Sequence, residues 1–266
     1  MTAQQHPPAT KPMITARDLT MAYDSFVVMR DLNFEIAEKD IFIIMGSSGC
    51  GKSTLMRHLI GLQEPAKGTI LYGDKDFTAT DPAERGAFTR RFGVMYQSGA
   101  LWSSLTLAEN IALPIEENTR MTHKAIRDLA SYKLSLVGLS GYEDYYPSQI
   151  SGGMNKRAGI ARAMALDPEI LFLDEPGAGL DPLSSRRLDE LILRLRDSLG
   201  STVVIVTHEL ASILAIANNS IFLDTATRTQ GATGNPSELR KHSENPAVRL
   251  FLNRGEQPET PTEIPT

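Results

Sequence analysis

Cysteine is nearly absent from this 266-residue chain: Cys50 is the only one, so no internal disulfide can form. A reducing, cytosolic compartment fits that usage, and a thiol set in a glycine-rich loop reads as a small tolerated side chain. Long apolar runs are missing too. Those at 41–45 and 203–206 are strand-sized, far below the ~20 residues a membrane helix needs, so any membrane role must be borrowed from a partner. The opening MTAQQHPPATKP has no apolar stretch of the secretory kind and reads as a disordered tail over residues 1–12. Nor is positive charge in excess. Against 27 Lys and Arg stand 32 Asp and Glu, a net charge of -5, which argues against nucleic acid as a partner. No internal repeat of solenoid period is present.

What remains is a chain with 41% hydrophobic residues, enough for one substantial core: one domain carrying a subdomain. Two β-like runs, 14–23 and 26–36, come first. From residue 40 to about 224, apolar strands alternate with amphipathic helices, which predicts an α/β fold with a largely parallel central sheet and an antiparallel β addition on the N-terminal side. In one helix Leu188, Leu191, Ile192, Leu195 and Leu199 recur at helical spacing behind an Asp181-Pro182 start. Between Gln97 and about Gly153 the strand pattern stops, and helical segments take over. One is opened by the capping-box pattern Thr106-Leu107-Ala108-Glu109. Two more helix starts, Asn235-Pro236 and Asn245-Pro246, precede the closing GEQPETPTEIPT, whose composition cannot build a core.

Residues 46–54 read Gly46-Ser47-Ser48-Gly49-Cys50-Gly51-Lys52-Ser53-Thr54, between the apolar strand at 41–45 and a helical run at 55–62. This is a G-x-x-x-x-G-K-S/T phosphate loop in its proper strand-to-helix setting. Its glycines let backbone N–H groups turn inward, and the following helix N-terminus favours anions. Lys52 is placed to reach the β and γ phosphates and Ser53 to ligate Mg²⁺. ATP and GTP both fit the loop.

The apolar strand at 170–173 ends in Asp174 and Glu175. Asp174 suits the hydration shell of Mg²⁺, and Glu175 suits a water attacking the γ-phosphate. His208 closes the strand at 202–207, at the edge where ligands of open α/β folds collect, and is a candidate contact for the γ-phosphate and the water. Gln97, ending the strand at 92–96, suits a Mg²⁺ and water contact that moves with the helical insert. Taken singly, His208 and Gln97 are equally readable as structural residues.

Ser151-Gly152-Gly153 stands 24 residues before Glu175, counted from Ser151, and opens a helix running from 154 to about 166. A hydroxyl, two side-chain-free amides and a helix dipole make a second anion cradle. Two cradles with one phosphate loop suggest two copies meeting head to tail, each cradle covering the nucleotide of the other. In this order of parts the chain resembles the ABC ATPase family, from about residue 13 to 239. The resemblance adds Tyr23 as the adenine-stacking aromatic, otherwise a strand residue of the core or edge, and Gly179-Leu180-Asp181, with Asp181 as a nucleotide contact. It implies a P-loop NTPase, RecA-like core with an N-terminal antiparallel β subdomain and a helical subdomain, about 98–160, inserted in an ATPase domain over 13–240. A C-terminal helical extension over 241–254 and a disordered tail over 255–266 would follow.

Where the family usually has Leu and Gln, this chain has Ile150 and Met154. The methionine is similar to the branch serving lipid transporters with MCE-type partners, the Mla (maintenance of lipid asymmetry) group, as are the stretch at 97–110 and the ending at 245–252. That resemblance implies ATP and Mg²⁺ as cofactors, a homodimer of ATPase subunits, membrane permease subunits, an MCE-domain protein and a small accessory regulatory subunit. It implies a peripheral place on the cytoplasmic face of the inner membrane, with phospholipid as cargo. The C-terminal helix is expected to stabilise the homodimer, docking of the accessory protein being its alternative role. Trp102 is expected to be buried in the helical insert, with a permease contact as its other role. A transporter of another solute would share all the nucleotide chemistry. A soluble ABC ATPase acting on DNA or ribosomes fits less well, since the chain has neither a second cassette nor a coiled-coil insert.

Overall fold

The computed structural model describes residues 12–254 except 82 and 98; the expected tails at 1–12 and 255–266 lie, apart from Pro12, outside the described residues. The first hairpin is as the sequence suggested. Strand β1 (Pro12–Tyr23) turns through Asp24, which has φ 49°, into β2 (Phe26–Ala37), and the two pair antiparallel. After β3 (Ile41–Gly46) and α1 (Lys52–Leu59), strands β4 (Lys67–Tyr72) and β5 (Lys75–Asp76) return to this sheet, giving the order β2-β1-β4-β5. The helix predicted at 55–62 thus begins three residues earlier, so Lys52 and Ser53 lie in its first turn. It ends early because Gly61, at φ 81°, turns the chain away.

A short helix α2 (Arg85–Thr89) and strand β6 (Phe92–Met95) lead into three α-helices, with a 3-10 turn at Pro147–Gln149 before the last. These are α3 (Leu107–Asn118), α4 (His123–Leu136) and α5 (Gly152–Ala163), and the expected capping box of Thr106 and Glu109 opens the first. The chain then alternates through β7 (Ile170–Asp174), α6 (Pro182–Leu199), β8 (Thr202–Val206), α7 (Leu210–Ile216) and β9 (Asn219–Asp224). Strand β10 (Thr229–Gly234) and helices α8 (Pro236–His242) and α9 (Pro246–Leu252) complete it, Asn235 and Asn245 capping the two helices as anticipated.

The second sheet has the order β10-β9-β3-β8-β7-β6, parallel throughout except for β10. Its central strands are buried on both faces, which is why their sequences are continuous apolar runs. Alternate residues go to opposite cores. Ile41, Ile43, Met45, Leu171, Leu173, Val203 and Ile205 face the helices, while Phe42, Ile44, Ile170, Phe172, Val204 and Val206 face α1 and the antiparallel sheet. In α6, Leu188, Leu191, Ile192 and Leu195 are buried and Gly200 ends the helix at φ 66°. This packing sets the carboxyl ends of β3, β7 and β8 side by side on one edge.

One expectation fails. Trp102 is 60% exposed rather than buried in the helical insert. The side chain of Asn110 accepts from the Trp102 N–H (2.7 Å) and donates to its carbonyl (3.0 Å), so the backbone is pinned inward and the indole stands outward.

Candidate nucleotide site

The loop at 46–51 connects the buried strand β3 to α1, and two of its glycines are required by close approach. A Cβ on Gly46 (φ 149°) would lie 2.7 Å from both Cys50 Sγ and Leu223 O, and one on Gly51 (φ 96°) 2.8 Å from Val28 Cγ1. Cys50 is buried, as a small packing side chain, while Ser47, Ser48 and Gly49 are exposed at the rim. The Lys52 ammonium arches back over the loop, donating to Ser47 O (2.9 Å) and Gly46 O (3.2 Å). Thr54 lies in the first turn of α1, its carbonyl 2.8 Å from Nδ1 of the buried His58.

Ser53 Oγ donates to Asp174 Oδ1 at 3.1 Å, joining α1 to the end of β7. Burial raises the Asp174 pKa, and the Ser53 hydrogen bond works against that shift. Beside it Glu175 is held in the left-handed region at φ 49°, a conformation that costs a non-glycine residue ~1–3 kcal/mol. Its N–H donates to Val206 O at 2.8 Å, and His208 Nδ1 lies 2.7 Å from its Oε1. Glu175 Oε2 is buried and has no hydrogen-bond partner. Such an orphaned acceptor is costly unless something else supplies a donor. A bound water is the chemistry that fits a carboxylate with one oxygen engaged by imidazole and the other free.

Tyr23 stands at the end of β1, 44% exposed, its hydroxyl donating to Gln63 Oε1 at 3.2 Å. Hydrogen bonding with Gln63, and with Thr54, lowers its pKa. Gln97 lies two residues past β6 with its side chain exposed. The loop that follows is laced to α5. Arg162 donates to Ala100 O (2.7 Å) and Gly99 O (3.4 Å), and a Cβ on Gly159 would lie 2.8 Å from Gly99 Cα.

Ser151 caps α5, its hydroxyl accepting from Met154 N at 3.3 Å, and with Gly152 it is exposed. Ile150 and Met154 pack against the helical core. An open cleft of about 700 Å³ runs beside Ser151 and Gly153, lined also by Arg157, Arg187 and Arg194. Asp181 caps α6, accepting from Leu183 N and Ser184 N at 3.0 Å each, and its hydrogen bonding with Ser184 lowers its pKa. Lys52, Ser53, Asp174, Glu175 and His208 therefore form one cluster, while Ser151 and Gly153 open on a cleft with no phosphate-loop residue in its lining.

Three participants escaped the sequence reading. Asn110 is fully buried and holds the loop at 102–106. Arg162 ties the loop after Gln97 to α5. Lys156 is buried on α5 and donates to Glu175 O at 3.1 Å. Its available signal was a lysine in register with Ile160 and Met164, both core residues at helical spacing.

The family model described as ABC transporter matches residues 29–178. This chain belongs to the ABC transporter family. It is the ATP-binding and ATP-hydrolysing subunit of an ABC transporter, and the P-loop fold with its antiparallel β subdomain is the one expected. The ABC ATPase is 38% identical, over 90% of its length, to the probable ribonucleotide transport ATP-binding protein mkl of Mycobacterium leprae strain TN, of which it spans 68%. It is 34% identical to the intermembrane phospholipid transport system ATP-binding protein MlaF of Haemophilus influenzae, over 92% of each chain. With MlaF of Escherichia coli K12 the identity is 33% over 91% of this chain and 88% of that one. Among solved structures, the dimeric ATP-binding cassette MJ0796 bound to ADP and Pi aligns with TM-score 0.76 and 28% identity, over 84% of this chain and 98% of that one. Another, cbiO1 from Clostridium perfringens, part of the complex cbiONQ, aligns with TM-score 0.79 and 25% identity over 86% and 90%.

Proposed function

We propose that two copies of this ATPase clasp two ATP molecules head to tail and drive phospholipid transport through membrane permease subunits. Each nucleotide is gripped by Tyr23 and residues 46–54 of one copy and by Ser151, Gly152 and Gly153 of the other, with Gln97 and Asp181 at the margins. Ser53, Asp174 and Gln97 would hold Mg²⁺. The fit is chemical: a hydroxyl and a carboxylate already paired at 3.1 Å are hard oxygen donors. Among the described residues no cluster of three or more His, Cys, Asp or Glu could hold an ion alone, so phosphate and water oxygens would complete the shell. When bound, the ion neutralises charge on the phosphates.

Glu175 takes the proton of the attacking water, and His208 orients its carboxylate. The observation carrying this reading is the 2.7 Å contact of His208 Nδ1 with Glu175 Oε1, which leaves Oε2 buried and unpartnered. Two clasps that grip the γ-phosphate only while it is attached bias the pair toward closure, and hydrolysis releases it. Among the described residues no helix is long and apolar enough to cross a membrane. The proposed place of the subunit, peripheral on the cytoplasmic face of the inner membrane, is supported by likeness to the MlaF proteins. The phospholipid cargo is supported by likeness to two MlaF proteins over about nine-tenths of the chain; an MCE-domain partner and a small accessory subunit complete the proposal.

The test has two arms. Glu175→Gln is expected to bind ATP, lose at least 100-fold in turnover and accumulate as a closed dimer; turnover equal to the parent sinks the catalytic assignment. Gentle detergent purification from the native membrane is expected to bring down an MCE-domain protein with phospholipid. Recovery of a nucleotide-binding or other solute receptor instead would favour the reading in the mycobacterial relative's name.

A further inference from the structure

We infer that Lys156 is a positioning residue for Glu175, tying the backbone of the proposed base to the helix that carries the Ser151 cradle; this rests on the reading of Glu175 given above. A left-handed residue without glycine's freedom keeps that conformation only where its surroundings fix it on both sides. On one side, the Glu175 N–H donates to Val206 O in β8 at 2.8 Å. On the other, its carbonyl accepts from Ala178 N at 3.2 Å and from Lys156 Nζ at 3.1 Å. The first ties Glu175 to the neighbouring strand β8, and the second closes its own turn. Only the third comes from a helix.

Lys156 is 7% exposed, and among the described residues Glu175 O is its only hydrogen-bond acceptor. Burying an ammonium is costly, and an apolar side chain of similar length would fill the same space more favourably. Burial accordingly lowers the lysine's pKa, while the charges of Glu175, Glu209 and Asp174 work to raise it. What the lysine does that an apolar chain cannot is hold a carbonyl. It does so from a helix whose first turn is the cradle: Ser151 caps α5, and Lys156 follows one and a half turns later.

The consequence is a link between the two nucleotide sites of a head-to-tail pair. The cradle of one copy touches the nucleotide held by the other, so the seating of α5 reports that nucleotide. Lys156 passes the seating to Glu175, which acts on the copy's own nucleotide. Hydrolysis in each site then depends on occupancy of the other.

The experiment is ATP hydrolysis by the full-length chain with its co-purifying membrane subunits. Lys156→Met, which keeps length and packing but removes the donor, is expected to lower kcat at least tenfold with KM for ATP within twofold. The Hill coefficient for ATP falls toward one. Lys156→Arg keeps at least a third of the parent kcat. In the Glu175→Gln background, Lys156→Met gives no further loss, because both changes act through one carboxylate; independent effects would multiply. A Lys156→Met kcat within threefold of the parent, in a system where Glu175→Gln is inactive, overturns this inference alone. Parent-like turnover of Glu175→Gln removes the base assignment and the inference with it. Should Lys156→Met fail to fold by its melting curve, Lys156→Gln and Lys156→Leu replace it. The amide variant must then turn over at least fivefold faster than the leucine variant, and equal rates overturn the inference.

Discussion

At the scale of single residues, charge buried for one purpose constrains stability elsewhere. Asp189 on α6 accepts from Ser212 Oγ at 2.9 Å, and burial, with the Glu209 charge adding to it, raises its pKa to about 6. The native state therefore binds a proton more readily than the unfolded chain, whose Asp titrates near 3.9. Between those values stability falls as pH rises, and the penalty is fully present above pH 6. Asp189→Asn is expected to remove it, raising stability at pH 7.5 by ~1–2 kcal/mol after allowance for solvent, and by about a third as much at pH 4.5. Urea titrations at the two pH values check this; an equal effect at both would rule out the linkage. Glu175 is a different case, since its strain lies in the backbone and its neighbours hold it there.

At the scale of elements, one buried amide organises the approach to α3. Asn110 accepts from Trp102 N and donates to the carbonyls of Trp102, Leu105 and Thr106, all within 3.1 Å. Asn110→Ala leaves these groups without their partner, and a loss of ~2–4 kcal/mol in unfolding free energy is expected. Thr106→Ala, which removes only the helix cap, is expected to cost ~1 kcal/mol. Comparable losses in the two variants would deny Asn110 its organising role.

Local signals of this kind were legible in the sequence. The caps at Thr106, Asp181, Asn235 and Asn245 are written in a few adjacent residues, and so is the phosphate loop. The buried parallel strands announced themselves as apolar runs. Strand β10, TQGATG, carries no such run because it borders the sheet half-exposed, and nothing local tells β4 to leave the main sheet and pair with β1. Trp102 misled for a related reason: its exposure is decided by a side chain eight residues away. The site was legible wherever chemistry needs a fixed spacing, as at Lys52, Ser53 and Asp174. It was not legible where one element reaches across to another, as in the His208–Glu175 contact and the bond from Lys156.

At the scale of the whole molecule, the cleft lined by Ser151 and Gly153 includes no phosphate-loop residue, and in the proposed function a second copy brings the two cradles onto one nucleotide. Placing a negative charge in the Ser151 cradle should repel the partner's triphosphate and leave binding to the chain's own phosphate loop intact. In the Glu175→Gln background, Ser151→Glu is expected to bind ATP with less than threefold loss yet stay monomeric by light scattering at 1 mM ATP, a concentration on the order of ordinary enzyme KM values. A dimer as stable as that of Glu175→Gln alone would refute the head-to-tail arrangement.

The near-contact of Gly99 with Gly159 gives this assembly a mechanical property. Two main chains meet there with no side chain between them that could rotate and absorb a push, and Arg162 clamps the joint from one side. A displacement imposed on Gly99 would therefore press directly on the backbone of α5, as a crank bears on its shaft.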